Sequence, residues 1–336
     1  MPFKRVGAIV LEPGEDSLVS GAIDVSGGFA YFCTATIPGI IVKIRLSDFT
    51  RVAALALPAG YGSPTCCVLD PAGHLIVGTD QAGIGRLVQI RLSDFTEIAA
   101  LDWLDFIFNP FSAAIDPAGG FAYTGSRYVP GGLFKIRLNP FEIDSLYELN
   151  PGDGYLQTTH VYPAAERVYY GMRTPSNRTL EVHMPDIFQE VAQLPFTASG
   201  PLRCAAIDTA AGFLYFGIDA SPSEIIKVRL SDLAHVGTLT LEPGEDFASA
   251  AVIDTAAGFL YIGLELEPMV AVKIRLSDFT RVTAFELLPE EISPACAVLD
   301  YSKHIVYFGL ATIPGIVVKI AVPAGRVDHL PLLGVN

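Results

Sequence analysis

One ten-residue phrase constrains this chain more than any other feature. Lys43-Ile44-Arg45-Leu46-Ser47-Asp48-Phe49-Thr50-Arg51-Val52 returns at Lys273 to Val282, and weaker copies start at Gln89, Lys135, Glu181, Lys227 and Lys319, each 46 residues after the last. A second phrase keeps the same period: Ile23-Asp24, Leu69-Asp70, Ile115-Asp116, Val161-Tyr162, Ile207-Asp208, Ile253-Asp254 and Leu299-Asp300. Seven units follow, 12–57, 58–103, 104–149, 150–195, 196–241, 242–287 and 288–333, behind a leading segment 1–11. A chain of 336 residues would ordinarily divide into two domains. A unit of this size cannot bury its own apolar faces and must stack on its neighbours, so residues 1–336 are expected to form one domain.

Four short strands are legible in the first unit: Ser20–Asp24, Phe29–Thr34, Ile40–Arg45 and Arg51–Leu57. Turns at Val25-Ser26-Gly27-Gly28, Pro38-Gly39 and Ser47-Asp48 separate them. Aromatic and β-branched residues fill the strands, turn residues recur at fixed offsets, and helical periodicity is absent. Hydrophobic residues make up 51% of the chain. They come in pieces of four to six, with no apolar run long enough for a transmembrane helix. Four antiparallel strands per unit, repeated seven times, describe an all-β, seven-bladed β-propeller.

The run Ala114-Ile115-Asp116-Pro117-Ala118-Gly119-Gly120-Phe121-Ala122-Tyr123, then a loop and Phe134-Lys135-Ile136-Arg137, resembles the YVTN/NHL-type β-propeller repeats. The resemblance covers essentially the whole chain. WD40 repeats do not fit, because Trp103 is the only tryptophan and no Gly-His or Trp-Asp pair recurs. The resemblance implies a seven-bladed disc around a central channel. It implies no particular activity, since such propellers include lactonases, lyases, surface proteins and scaffolds.

The chain ends bear on ring closure. Lys4–Leu11 matches a fourth strand, with Arg5 placed 46 residues before Arg51. The last unit offers a rival fourth strand, Arg326–Leu333, broken by Asp328 and Pro331. Proline removes a ladder donor, so the N-terminal strand is expected to complete blade seven. The surplus segment 326–336 is then expected to pack on the disc or on a second copy.

Charge and motifs exclude several functions. The net charge of −14 disfavours a general nucleic-acid binder, which needs a basic stripe, and disfavours adhesion to anionic lipid. The chain as given opens directly into a strand, so no signal peptide is expected on it; the lean is to the cytoplasm. Of five cysteines, Cys66, Cys204 and Cys296 share one repeat position with Ser20, Ser112, Thr158 and Ala250. That position wants a small side chain, and neither a disulfide framework nor a metal site is expected there. HExxH, GxSxG, a P-loop and a dinucleotide fingerprint are all missing. Asn177-Arg178-Thr179 is a sequon, a weak signal.

Some residues that suggest chemistry have plainer explanations. The strand cations Lys43/Arg45, Lys135/Arg137, Lys227/Arg229 and Lys273/Arg275 are expected to be structural. The arginines would pair with the first-strand aspartates Asp24, Asp70, Asp116, Asp208 and Asp254, or those aspartates would cap turns. The acids of Leu11-Glu12-Pro13-Gly14-Glu15-Asp16 and Leu241-Glu242-Pro243-Gly244-Glu245-Asp246 are expected to template a turn rather than bind calcium.

Function should show where the repeat pattern breaks, and two places break it. One is the aromatic junction that runs from Trp103 through Asp105, Phe106 and Phe108 to Phe111. The other is unit four, with Tyr155, Gln157, His160, Arg173 and Arg178. Arg127, Tyr128 and Arg203 should reach the same rim. The leading expectation is a non-enzymatic binding or assembly scaffold that presents this rim to a protein or carbohydrate partner, with no cofactor. Two other classes fit the residues. One is a self-assembling subunit joined through a surplus terminal strand. The other is a metal-dependent propeller lyase or lactonase, for which His160 is the histidine nearest the channel.

Overall fold

A computed structural model of the chain describes residues 3–81, 84–102, 109–174, 178–184 and 189–322. Its strands assemble into seven four-stranded antiparallel sheets, and the seven inner strands contact one another in sequence and close a ring. This is a seven-bladed propeller. Blade one consists of Leu18–Asp24, Phe29–Thr34, Ile40–Arg45 and Thr50–Ala56, so the boundaries read from the sequence move by two residues at most. The one helical turn among the described residues is Pro163–Ala165.

Ring closure uses the N-terminal strand. Lys4–Val10 pairs antiparallel with Ile316–Ala321, from Lys4↔Ala321 to Val10↔Ile316, and becomes the outer strand of blade seven. The rival segment 326–336 lies outside the described residues.

Each seam between blades is filled by apolar side chains and fastened by repeated polar contacts. A tyrosine in the second strand of six blades (Tyr31, Tyr123, Tyr169, Tyr215, Tyr261, Tyr307) is almost fully buried. Three of them meet a turn residue of the next blade: Phe95 lies 6.0 Å from Tyr31, Phe49 5.5 Å from Tyr307 and Phe279 5.8 Å from Tyr215, centroid to centroid. The strand lysines cover these rings. Lys43 sits 4.1 Å from the Phe29 centroid and Lys273 3.5 Å from that of Phe259. These cations face aromatic π-faces inside the blades, and burial lowers the pKa of both amines.

The arginines correct one expectation. Arg45 pairs with Asp48 at 2.7 Å, and Arg91–Asp94, Arg229–Asp232 and Arg275–Asp278 repeat the contact. Asp24 is not the partner, because the register Asp24↔Phe29 and Phe29↔Arg45 puts it two strands away. Asp24 instead accepts the Gly27 backbone N–H at 2.7 Å, and Asp70, Asp208 and Asp254 cap their turns likewise. The acidic loops are turn templates as well: Glu15 accepts the Glu12 N–H and Glu245 the Glu242 N–H, both at 3.1 Å. The same glutamates clamp Arg51 and Arg281. Glu291 clamps Arg5 at 2.7 Å, which is the same contact carried across the chain break.

Glu291 is 1% exposed and Arg5 30% exposed. Arg5→Ala therefore leaves a buried carboxylate without its cation and should lower stability by about 2 kcal/mol, discounted for partial solvation. Urea titration would show this as an earlier midpoint at unchanged slope. Deleting residues 1–11 bares the edge of Ile316–Ala321, and that chain should associate in size-exclusion chromatography. A monomer with the parent's midpoint would refute the closure role of the strand.

Candidate functional site

Seven inner strands converge on the axis, so the channel wall accepts only small side chains at most positions. Cys66, Cys204, Cys296, Ser112 and Ala250 stand beside it opposite glycines in the second strands, and their side chains turn into the seam with the following blade, as where the Ser112 hydroxyl donates to the Leu156 carbonyl. A Cβ on Gly309 would come within 2.6 Å of the Cys296 sulfur. All five cysteines are unpaired thiols. Burial raises those of Cys66 and Cys204 to about 12, leaving them protonated at neutral pH.

On the face where the inner strands begin, the channel opens into a cup of about 580 Å³. Val19, Thr65, Phe111, Gln157, Arg203, Ser249 and Ala295 form its ring, and they occupy one repeat position spaced by 46 residues. All seven differ. A second ring stands at the ends of the second strands: Ala35, Asp80, Arg127, Arg173, Asp219, Glu265 and Ala311, of which Ala35, Asp80 and Arg127 line the cup. Blade two departs from the 46-residue step by one, because its first strand pairs Cys66 with Gly78 and Ser63 with Asp80. The neighbouring position Ile23 stays aliphatic in every blade, and Asp24 stays aspartate in all but blade four.

The residues singled out from sequence separate into groups. Arg203 enters the cup, half-buried, with Asp219 at 3.1 Å and Glu265 at 2.7 Å, so two carboxylates neutralise it. Gln157 donates to the Arg203 carbonyl at 3.2 Å. Arg127 lies over the ring of Phe111 at 4.8 Å and that of Tyr155 at 5.9 Å, and forms no ion pair with a described residue. Tyr155 holds a left-handed backbone at φ 52°. Tyr128 adjoins Arg127 in the chain, and burial followed by the Asp80 charge raises its phenol pKa. Arg173 forms no ion pair with a described residue, whereas Arg178 is tied to Asp153 at 2.6 Å and Gln193 at 2.7 Å. Trp103, Asp105, Phe106, Phe108 and the sequon residue Asn177 lie outside the described residues.

His160 lines the cup, yet its Nε2 is sealed from solvent without a hydrogen-bond partner. Burial holds its pKa down at about 4, so the imidazole is neutral at physiological pH. Two further cup-lining atoms are buried without partners, the Asn109 Oδ1 and the Thr158 Oγ1. Each such atom costs about 1–3 kcal/mol unless water or a ligand pairs with it. Among the described residues no three His, Cys, Asp or Glu side chains are grouped to hold a metal ion.

Sequence reasoning passed over Thr65, Ser249, Asp219 and Glu265, while Phe111 is the end of the aromatic junction that it singled out. The signal was available in the aligned units, because a position that changes in every copy of a faithful repeat is free of the packing that fixes its neighbours.

The fold and the cup define a seven-bladed propeller with a polar, non-repeating channel mouth. No family model and no curated protein matches the sequence. Among solved structures the chain is similar to hydrazine synthase of Kuenenia stuttgartiensis, with a TM-score of 0.77. The match covers 94% of this chain and 98% of that one at 10% identity. Likeness at that identity shows the propeller fold alone.

His160 gives the cup a pH signature. Its pKa is near 6.5 in the unfolded chain and about 4 in the folded one. Between those values the unfolded chain binds more protons, so stability should fall as pH drops from 6.5 to 4. His160→Asn should flatten that part of the melting-temperature profile. An unchanged slope would mean that the imidazole is not held neutral.

Proposed function

We propose that this chain is a non-enzymatic binding scaffold whose partner, a protein or a glycan, docks over the cup between blades two and five. The observation that carries the reading is the ring of seven different side chains at one repeat position, all lining a single open cavity. Packing explains why the other inner-strand positions recur and does not explain this one. A cup of this volume with a few convergent polar groups is the usual form of a ligand site. The repeats are taken as YVTN/NHL-type, and residues 1–336 as one domain. The similar structure is a hydrazine synthase, and nothing of its activity is carried over to this chain. In the rival reading of a self-assembling subunit, the N-terminal strand is not the joint, because blade seven already uses it. In that reading the joint is the surplus segment 326–336.

Filling the cup tests the proposal. Ala295→Trp and Val19→Trp place an indole in the ring from two neighbouring blades, away from the charged side. A partner selected by the parent chain on glycan and peptide arrays should bind either variant at least about tenfold more weakly, at a melting temperature within a few degrees of the parent's. Equal affinity for parent and variants would place the partner elsewhere and sink the reading.

A further inference from the structure

We infer that the blade three and four side of the cup binds a carboxylate-bearing saccharide unit, with Arg127 and Arg173 opposing the carboxylate and neutral polar groups meeting the hydroxyls. The inference rests on the cup being the ligand site and names the ligand's chemistry.

The charges around the second ring are unevenly matched. Arg203 is consumed by Asp219 and Glu265. On the two preceding blades Arg127 and Arg173 take the same strand position as those acids, and neither has an ion-pair partner among the described residues. Asp80 of blade two is the carboxylate lining the cup nearby, and it has contacts of its own. Against the two cations of blades three and four stands one carboxylate, Asp80 of blade two, so this side of the mouth carries a surplus of one positive charge in a chain of net charge −14, which one carboxylate would balance. A guanidinium is matched to the two oxygens of a carboxylate.

The rest of this side is uncharged. Asn109 lines the cup, is 3% exposed, and keeps an unpartnered Oδ1. His160 adds a neutral, unpartnered Nε2. Gln157 donates through Nε2 to the Arg203 carbonyl, and no described residue donates to its Oε1. The Asn109 and His160 atoms are sealed as the side chains stand, so each meets a ligand hydroxyl only if its side chain turns toward the cup; none of the three groups adds charge. Phe111 and Tyr155 supply ring faces beside Arg127. The cup is closed on all sides by the starts of seven strands, which suits a compact polyhydroxylated ring better than an extended peptide.

The test is calorimetric titration of the full chain with glucuronate, glucose and acetate, so that hydroxyls and carboxylate are probed together and apart. Glucuronate should bind roughly tenfold more tightly than either of the others. In an R127Q/R173Q double variant its affinity should fall to that of glucose, and the melting temperature should hold because both side chains are at least partly exposed. Glucose binding as well as glucuronate, acetate doing so, undetectable glucuronate binding, or full retention by the double variant would each overturn the inference. Should an array partner without a carboxylate be lost in Ala295→Trp, the cup remains the binding site and only the carboxylate assignment falls.

Discussion

The architecture depends on one antiparallel pairing. Seven blades around an axis remain a stack with two open ends until Lys4–Val10 is laid against Ile316–Ala321. Only then does each sheet have neighbours on both faces and the inner strands a complete circle to lean on. The contact that fastens this joint, Arg5 with Glu291, is the one that fastens Arg51 to Glu15 and Arg281 to Glu245. The joint therefore differs from other seams in connectivity and not in chemistry. Its outer strand is tethered to blade one through residues 11–17 rather than to its own sheet. That short tether keeps its effective concentration high and favours closure within the chain over exchange with another.

Closure in turn frees the mouth. Turns and seams are met by a small set of devices used again and again: an aspartate capping the first turn, an exposed arginine and aspartate in the third, a lysine over aromatic rings, a glutamate clamp at the rim. Because these recur, stability is spread around the ring and no single blade has to supply it. The starts of the inner strands lie outside these devices, and there the side chains vary.

The fold was legible in the sequence because a strict 46-residue period admits few solutions, and turn chemistry located the strands within it. The choice of closing strand was legible too, since Pro331 weakens the rival. The Arg45 partner was misread, because pairing two repeated charges by sequence ignores that a third strand position separates them, while Asp48 stands three residues away in the same turn. The site was only partly legible. Arg127, Gln157, His160 and Arg203 stood out as departures in chemical type. Thr65 and Ser249 did not, because each is unremarkable alone and becomes informative only as one letter of a ring assembled from residues tens of positions apart. Neutralisation of Arg203 by Asp219 and Glu265 depends on side-chain reach across two blades, which periodicity does not encode.

A disc of seven like blades is rotationally degenerate, and a partner approaching along its axis would meet seven equivalent orientations. The ring at the mouth removes that degeneracy. Small apolar side chains mark blades seven and one, cations with no ion pair among the described residues blades three and four, and carboxylates blades two, five and six. The mouth thus works as a clock face, fixing the azimuth at which a ligand is held as well as its depth, on a frame that supplies no bearing of its own.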